Sequence, residues 1–414
     1  MRASMTGRTD RVERRRVFYI PGYDPFPPRR YRELYRKEGA EQARISGYDL
    51  DLRASGPTGW QVGFAGDGAR VETGFEVLTW SDIVTASMGR GIAATYGQLV
   101  RTAWIYLASG ALFRLARLRK GPTIAALYPV AFLLLQAALA LAAGWGVFAL
   151  LSRAGGTLWP GAPAAVPAVV GLVPGAAAAI VLLRWFRRHD NRIYAWYLMH
   201  DYAFTASAGG AVPPPLRPRL AAFADRIAAA FCEDWDEVLV VGHSSGAHLA
   251  VTILADLIRS GRVREGGAAL GFLSLGQVVP MVSFLPGAGD LRGDLAFLSS
   301  RQELAWIDVT APGDGCAYAL CDPVAVSGVA PPDKRWPLVV SAAFTRTLSP
   351  ERWQALRWRF FRLHFQYLCA FDRPGDYDYF RITAGPLTLA ARYRGRAPSQ
   401  SRIETPLNPH GQAA

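Results

Sequence analysis

Short apolar runs alternate with amphipathic stretches along most of the chain, and this alternation predicts strands and helices in turn. The strand-like runs are 16–20, 48–53, 60–64, 71–80, 237–241, 268–275, 305–309 and 337–343. The helix-like stretches are 31–43, 216–231, 247–258 and 290–299. Fully apolar strands that alternate with helices are typical of a mostly parallel sheet covered on both faces, so the predicted fold class is α/β.

Two long apolar stretches interrupt this alternation in the middle of the chain. No charged residue occurs between Lys120 and Arg153 or between Arg153 and Arg184. A membrane-spanning helix needs roughly 20 apolar residues, and soluble helices of this length seldom lack a polar stripe. We therefore predict a two-helix membrane hairpin, with spans at about 123–151 and 162–184. A pair of buried core helices is the alternative.

Basic residues flank both outer ends of this hairpin and are scarce in its connecting loop. The flanking residues are Arg114, Arg117, Arg119, Lys120, Arg184, Arg187, Arg188 and Arg192. Because positive residues stay on the cytoplasmic side of a membrane, both ends are predicted to be cytoplasmic. The predicted location is the inner (cytoplasmic) membrane, multi-pass, with the α/β domain on the cytoplasmic side. An even number of spans also allows strands before and after the hairpin to join one sheet.

The hairpin divides the chain into five predicted segments. These are a basic disordered arm (1–15), the first part of the α/β domain (16–85), a membrane insertion (86–200), the second part of the domain (201–396) and a disordered tail (397–414). Within the insertion, 86–118 is predicted to lie on the membrane as an interfacial helix. Arg101 falls near the middle of its apolar stretch, and a central Arg costs about 2.5–3.5 kcal/mol on insertion scales. A third span is the alternative.

Composition and charge restrict the partners and the compartment. The chain has 414 residues, of which 51% are hydrophobic, and a formal net charge of +13. Its positive residues cluster at the hairpin flanks, which favours a bilayer with anionic headgroups over nucleic acid. Four cysteines without a C-x-x-C pair argue against a disulfide scaffold or a zinc ribbon and predict free thiols in a reducing compartment. The Arg-rich start lacks the apolar core of a secretory signal.

The segment that carries candidate chemistry is the G-x-S-x-G motif at Gly242-His-Ser-Ser-Gly246. An apolar strand runs directly into it and an Ala/Leu-rich helix runs directly out, which is the strand–turn–helix context that the motif requires. Glycines two residues before and after Ser244 would let strand and helix approach closely. The hydroxyl of Ser244 would then stand at the carboxyl edge of the sheet, near a helix N-terminus that favours developing negative charge. A Gly/Ser turn without chemistry is the alternative.

On this motif and its context, the chain resembles the α/β-hydrolase superfamily over roughly 16–80 and 216–380, with the membrane hairpin as an insertion. The resemblance implies the chain order nucleophile, acid, histidine. It implies that the acid follows the next-but-one strand after the motif, where Asp314 lies in a Gly-rich loop. Asp322 is a second loop candidate, and Asp308 lies inside the strand.

The resemblance places the histidine beyond the last strand, where His364 and His410 are the two candidates. We assign His364, because His410 falls in the predicted disordered tail. The other histidines are expected to play structural parts. His243 adjoins the nucleophile, His248 lies one helical turn further on, and His189 and His200 lie by the membrane segment.

The predicted function is that of a membrane-anchored serine hydrolase, similar to esterases and lipases, which cleaves a lipid-like carboxylic ester or thioester. His364 would take the proton of Ser244, and Asp314 would orient the imidazole. The oxyanion would be bound by backbone N–H groups of Ser245 and of Gly22 or Tyr23. No metal and no cofactor is predicted. The alternatives are an acyltransferase with the same triad and a non-catalytic membrane-anchored scaffold that binds a partner.

Overall fold

The computed structural model describes residues 10–411 except 89, 90, 162, 164 and 265. Contacts divide the chain into two compact units. The first holds the described parts of Met1–Ala86, Tyr106–Thr123 and Thr205–Ala414, and the second holds those of Ser87–Ile105 and Ile124–Phe204. Residues 106–123, which lie within the predicted 86–200 insertion, therefore belong with the α/β unit.

An eight-stranded mixed sheet forms the centre of the first unit. Its strands are β1 (Arg14–Ile20), β2 (Asp49–Ser55), β3 (Gly59–Gly66), β4 (Ala69–Val77), β5 (Glu237–His243), β6 (Ala269–Leu275), β7 (Leu304–Thr310) and β8 (Leu338–Ser341). Their order is β2-β3-β4-β1-β5-β6-β7-β8. Neighbouring strands in the row β4-β1-β5-β6-β7-β8 are parallel to one another. Strands β2 and β3 are antiparallel and extend the sheet beyond β4. The α/β class predicted from the sequence is confirmed at this level.

The helices that surround the sheet and form the second unit run in chain order as follows. They are α1 (Arg29–Ser46), α2 (Ser81–Met88), α3 (Ile92–Ala108), α4 (Ala111–Leu118), α5 (Lys120–Leu158), α6 (Ala165–Arg188), α7 (Ala195–Ala206), α8 (Arg217–Ala230) and α9 (Gly246–Arg259). They continue with α10 (Val279–Ser283), α11 (Gly289–Ser300), α12 (Pro323–Val326), α13 (Phe344–Thr347), α14 (Pro350–Leu356), α15 (Phe360–His364), α16 (Tyr379–Ala384) and α17 (Leu389–Arg392). The predicted interfacial helix is thus three helices, α2 to α4.

Both faces of the central strands are buried, which explains their uninterrupted apolar sequence. On one face Tyr19 and Val241 join a core that includes Tyr35 of α1 and Phe380 of α16. On the other face alternate residues such as Val240 are equally buried, and α9 packs against β5 and β1. The edge strand β2 has mostly exposed side chains and alternates in sequence accordingly.

A buried ion pair links β1 to β5 and corrects the predicted N-terminal arm. Arg15 was expected in a disordered segment, yet its side chain is 0% exposed and its Nε donates to Glu237 Oε2 at 2.6 Å. Its two terminal nitrogens donate to the carbonyl oxygens of Gly385 and Leu387. Strand β1 already begins at Arg14. The part of the arm at 1–9 lies outside the described residues.

The C-terminal segment predicted as disordered from 397 is instead attached to the first unit over much of its described length. Ser399 N–H donates to Val339 O, and Ile403 N–H donates to Leu320 O at 2.7 Å. The Asn408 amide donates to carbonyl oxygens of Ser283 and Ser327. The polar residues that predicted disorder in this segment therefore form hydrogen bonds with residues far away in the chain.

Two helices are long and apolar enough to cross a membrane, Lys120–Leu158, which belongs to the second unit from Ile124 onward, and Ala168–Arg188. They approach closely at small residues, because a Cβ on Gly144 of α5 would lie 2.8 Å from Gly175 O of α6. Small residues at helix contacts are typical of packed membrane helices. A polar contact within this unit joins Trp196 Nε1 of α7 to Gln136 Oε1 at 2.9 Å.

Candidate active site

Ser244 stands at the sharp turn between β5 and α9, with its backbone in the left-handed region (φ 57°). The glycines on either side permit this turn. A Cβ on Gly246 would lie 2.1 Å from Ile20 O, and one on Gly242 would lie 2.7 Å from Gly246 O. No side chain fits at such distances, so the close approach of strand and helix depends on both glycines. Ser244 itself is half-buried.

The loop after β1 lies directly beside the serine. A Cβ on Gly22 would come within 2.9 Å of Ser244 Cβ and 3.3 Å of its Oγ. The loop is held by Trp80, whose Nε1 donates to Pro21 O at 3.0 Å. Asp24 also fixes it, by accepting hydrogen bonds from Tyr31 Oη at 2.6 Å and from a backbone N–H at 2.9 Å. A backbone group of this loop is therefore held in a defined position near Ser244.

The residues proposed for the oxyanion site surround Ser244 on two sides. Ser245 immediately precedes α9, where the first backbone N–H groups of a helix have no acceptor within that helix. Gly22 and Tyr23 belong to the loop that contacts the serine, and both are buried. Donors from a helix start and from a rigid neighbouring loop can converge on one negative oxygen.

Asp314 and His364 form a buried acid–histidine pair. His364 Nδ1 and Asp314 Oδ2 lie 2.7 Å apart, with the carboxylate side chain fully buried and the imidazole 8% exposed. Tyr367 Oη donates to the same carboxylate oxygen at 3.1 Å, and Cys316 N–H donates to Oδ1 at 2.9 Å. Both carboxylate oxygens are thus engaged, which fixes the orientation of the imidazole.

The surroundings of Asp314 keep it ionised. Burial alone would raise its pKa, but the charge of His364 and the hydrogen bonds from His364, Cys316 and Tyr367 outweigh burial and lower the pKa below its ordinary value. A negatively charged carboxylate favours the Nδ1–H tautomer of the imidazole and leaves Nε2 free to accept a proton.

His243 supports the imidazole from the other side, a contact that sequence reasoning missed. Its Nε2–H donates to the carbonyl oxygen of His364 at 3.0 Å, and the two ring centres lie 4.8 Å apart. Burial and the neighbouring His364 lower the pKa of His243 to about 3, so it is a neutral donor. Tyr367 was missed as well, although its position three residues after His364 places it one turn away from that histidine.

Ser244 and His364 approach the same point of the sheet. Ser244 N–H donates to Leu275 O at 2.9 Å. At the next residue, a Cβ on Gly276 would lie 3.1 Å from His364 Cε1. Among the described residues, no hydrogen bond joins Ser244 Oγ to the imidazole. Such bonds are often long without substrate and tighten only in the reacting complex.

The other acids near this site have structural partners. Asp322 caps α12 by accepting from two backbone N–H groups and pairs with Lys334 at 2.6 Å. Asp308 lies in β7, where Ser274 Oγ donates to it at 2.6 Å and burial raises its pKa to about 8. Neither contacts an imidazole in the described part of the chain. Asp314 is therefore the acid that pairs with His364.

The remaining histidines lie elsewhere. His189 and His200 belong to the second unit, where their Nδ1 atoms lie within hydrogen-bond distance of Trp185 O and Gln98 Oε1. His248 lies in α9, and burial lowers its pKa to about 4. His410 N–H donates to Asn408 in the C-terminal segment.

Three potential metal ligands coincide with the acid–histidine pair. Donor atoms of Asp314, Cys316 and His364 all lie within 4.8 Å of one another. Carboxylate, thiolate and imidazole could together hold a transition metal such as zinc. The 2.7 Å bond between His364 Nδ1 and Asp314 would compete with such an ion for the same nitrogen.

No protein-family model, curated protein or solved structure matches this chain. Function is therefore inferred from the residues of the site and from their geometry.

Proposed function

We propose that this protein is a membrane-anchored serine hydrolase that cleaves lipid-like carboxylic esters or thioesters. The observation that carries the proposal is the 2.7 Å bond between His364 Nδ1 and Asp314, close to a serine on a left-handed strand-to-helix turn. Nucleophile, acid and histidine follow in the chain order of the α/β hydrolases. The parallel strands β4 to β8 also resemble that fold, with Ser244 at a carboxyl end where ligands of such sheets bind.

The proposed reaction proceeds through an acyl-enzyme. His364 Nε2 accepts the proton of Ser244 as Oγ attacks the acyl carbonyl, and the negative oxygen is stabilised by N–H groups of Ser245 and of Gly22 or Tyr23. His364 then gives this proton to the leaving alcohol or thiol. A water molecule, deprotonated by His364, releases the acid and restores Ser244.

A lipid-like substrate is favoured by large apolar side chains beside the site. Trp358 and Phe360 are 73% and 49% exposed, directly before His364 in the chain. Phe360 also contacts the Asp314 loop, since its Cδ1 would lie 3.4 Å from a Cβ on Gly315. Exposed aromatic side chains at this position offer apolar surface to an acyl chain.

Membrane anchoring is favoured by the two apolar helices of the second unit. Only 22% and 11% of their most apolar windows are buried, whereas the core helix of a soluble protein would be mostly buried. With basic residues at both outer ends of this proposed hairpin, the hydrolase unit would face the cytoplasm. Tethering at the bilayer would raise the effective concentration of lipid substrate.

A fluorophosphonate probe tests the proposal directly, because it forms a covalent bond with an activated serine. We expect the purified full-length protein to be labelled at Ser244, and S244A to lose the label together with esterase activity. S260A is the matched control, because Ser260 is an exposed serine just after the far end of α9 and takes no part in the proposed reaction, so this variant should keep the label. Labelling of S244A at the level of the unaltered protein would refute the assignment.

Acyl transfer to an alcohol or amine by the same residues is distinguished by product analysis. The acyl-enzyme is common to both reactions, and the acceptor decides between them. We expect free acid as the main product when glycerol or an amine is added as a competing acceptor. The non-catalytic scaffold predicts neither acid nor acyl transfer and no labelling at Ser244.

A further inference from the structure

A cavity of about 640 Å³ opens in the first unit beside the acid–histidine pair. Its lining comes from two short segments, 116–122 at the end of α4 and the start of α5, and 312–319 after β7. Asp314 and Gly315 form part of its wall, so the cavity borders the residues that hold His364. Its volume lies within the range of about 300–1,000 Å³ typical of small-molecule sites.

Three cations line this cavity and find no acidic partner. Among the described residues, Arg117, Arg119 and Lys120 form no ion pair, whereas the half-buried Arg219 pairs with Asp82 at 2.7 Å. The guanidinium of Arg119 is anchored, because its Nε donates to Ala319 O at 2.8 Å. Arg117 and Lys120 are exposed and can turn toward a ligand.

The single carboxylate in the wall, Asp314, offsets only one of these three positive charges. Asp314 Oδ2 accepts hydrogen bonds from His364 and Tyr367, and Oδ1 accepts one from Cys316 N–H. Lys120 is also the first residue of the long helix α5, whose N-terminal end carries a partial positive charge. The cavity therefore attracts anions, and guanidinium groups match the geometry of phosphate oxygens.

The position of the cavity relates it to one part of the substrate. In the proposed reaction His364 returns its proton to the leaving oxygen or sulfur, so the leaving group must lie on the His364 side of the acyl carbonyl. The cavity borders the Asp314–His364 pair on its acid side. Because Asp314 bonds Nδ1 of the imidazole and the reacting groups face Nε2, an anionic group in the cavity would belong to a part of the substrate that lies away from the acyl bond.

We propose that this cavity binds a phosphate group of the substrate, and that the substrates are acyl esters or thioesters of phosphate-bearing alcohols or thiols. The proposal rests on the serine hydrolase function proposed above. A phospholipid headgroup and coenzyme A both supply this chemistry. The phosphate would bridge Arg119 and the exposed Arg117 and Lys120.

Substrate selectivity tests the proposal in neutral-detergent micelles with full-length protein. Three substrates share one acyl chain: a 1-acylglycerol, a 1-acylglycerol 3-phosphate and an acyl-coenzyme A. We expect the phosphate-bearing substrates to be preferred, and R117Q/K120Q to lower the ratio of their kcat/KM to that of 1-acylglycerol by about tenfold or more. If the ratio falls for only one phosphate-bearing substrate, that substrate identifies the source of the phosphate as a lipid headgroup or coenzyme A. Either result supports the site.

R188Q/R192Q is the matched control, because it removes two positive charges at the other end of the proposed hairpin. We expect it to leave the selectivity ratio unchanged. An equal loss in this control would assign the effect to general surface charge and overturn the proposal. An unchanged ratio in R117Q/K120Q would overturn it too.

Direct binding keeps this proposal distinct from the hydrolase proposal. Glycerol 3-phosphate has no acyl bond, so its binding to S244A, followed by calorimetry, does not depend on catalysis. We expect saturable binding that is lost in S244A/R117Q/K120Q and weakened by salt. Absence of binding to S244A would refute the anion site even if esters are hydrolysed. Absence of hydrolysis of all three substrates, with binding intact, would instead refute the hydrolase function.

Discussion

The backbone of Ser244 is held in a conformation (φ 57°) that costs an ordinary residue about 1–2 kcal/mol. Gly242, Gly246 and Gly22 make this conformation possible, because each lies where a Cβ would meet a neighbouring atom within 3 Å. Strain of this kind persists only where the surroundings impose it and is concentrated at functional sites. At the residue scale, close packing at these three glycines holds the serine in its strained conformation.

Replacement of Asp314 tests the acid of the pair. D314N keeps the shape of the side chain but removes the charge that orients His364, so we expect kcat/KM to fall by about 10⁴-fold. D322N is the matched control, because Asp322 is equally buried but bonds Lys334 and α12. D322N should keep a kcat/KM within about tenfold of that of the unaltered protein, which corresponds to a change of at most about 1.4 kcal/mol in the activation free energy. An equal loss in both variants would contradict the assignment of Asp314.

The pKa of His243 predicts how stability depends on pH. The unfolded chain binds a proton at His243 below a pH of about 6.5, whereas the folded chain does so only near its pKa of about 3. His243 therefore makes the protein less stable as the pH falls through this window. We expect H243Q to gain about 1.4 kcal/mol of unfolding free energy per pH unit, relative to the unaltered protein, between pH 6 and 4.

Denaturant unfolding of the two proteins in detergent at several pH values measures this difference. H248N provides a comparison, because His248 lies in α9, where burial lowers its pKa to about 4. The gain in unfolding free energy of H248N over the unaltered protein should stop increasing as the pH falls to about 4. A constant difference between H243Q and the unaltered protein at all pH values would show that His243 does not titrate as expected.

At the element scale, the sheet is held together near its centre by the Arg15–Glu237 pair. Besides Arg15, Glu237 accepts the Leu389 N–H at 2.6 Å, so strands β1 and β5 are joined to the start of α17. This pair stands at the opposite end of β5 from Ser244. The two strands that carry the serine turn and the Gly22 loop are thereby fixed in parallel register.

Removal of one partner of this pair is expected to destabilise the first unit. E237Q leaves the buried Arg15 charge without its counter-ion, so we expect the unfolding free energy to fall by about 3–5 kcal/mol. Thermal unfolding followed by tryptophan fluorescence provides the measurement. D10N breaks the exposed Arg394–Asp10 pair and should leave the midpoint unchanged. A similar midpoint in both variants would show that the buried pair adds little.

At the scale of the whole molecule, the chain leaves the sheet after β4 and returns to it at β5, with the second unit between them. Both connections must therefore reach the same side of any membrane that α5 and α6 cross. This requirement is topological and does not depend on the charge of the flanks. The basic residues at both ends of the proposed hairpin lead to the same orientation.

Cysteine labelling in intact cells tests this orientation. Cys232 is exposed in the first unit, and Thr157 is exposed near the end of α5. We expect a membrane-impermeant maleimide to label T157C in intact cells, because position 157 would face the opposite side from the sheet. The unaltered protein should be labelled only after lysis. Labelling of the unaltered protein in intact cells, or no labelling of T157C, would contradict the proposed hairpin.

The amino-acid sequence alone predicted the features that depend on neighbouring residues. Strand and helix alternation follows from apolar periodicity, and the turn at Ser244 follows from glycines two residues away on either side. The apolar lengths of α5 and α6 likewise follow from local composition. These features were predictable because backbone sterics and side-chain spacing act over a few residues.

Tertiary structure decided the features that depend on distant residues. His364 pairs with Asp314, 50 positions away, and accepts from His243, 121 positions away. Arg15 belongs to the core and not to a disordered arm because Glu237, 222 positions away, neutralises its charge. The cations at 117–120 line a cavity because residues 312–319 fold against them. The spacing of neighbouring residues cannot predict such partners, because only the folded sheet brings these charges and hydrogen-bonding groups together.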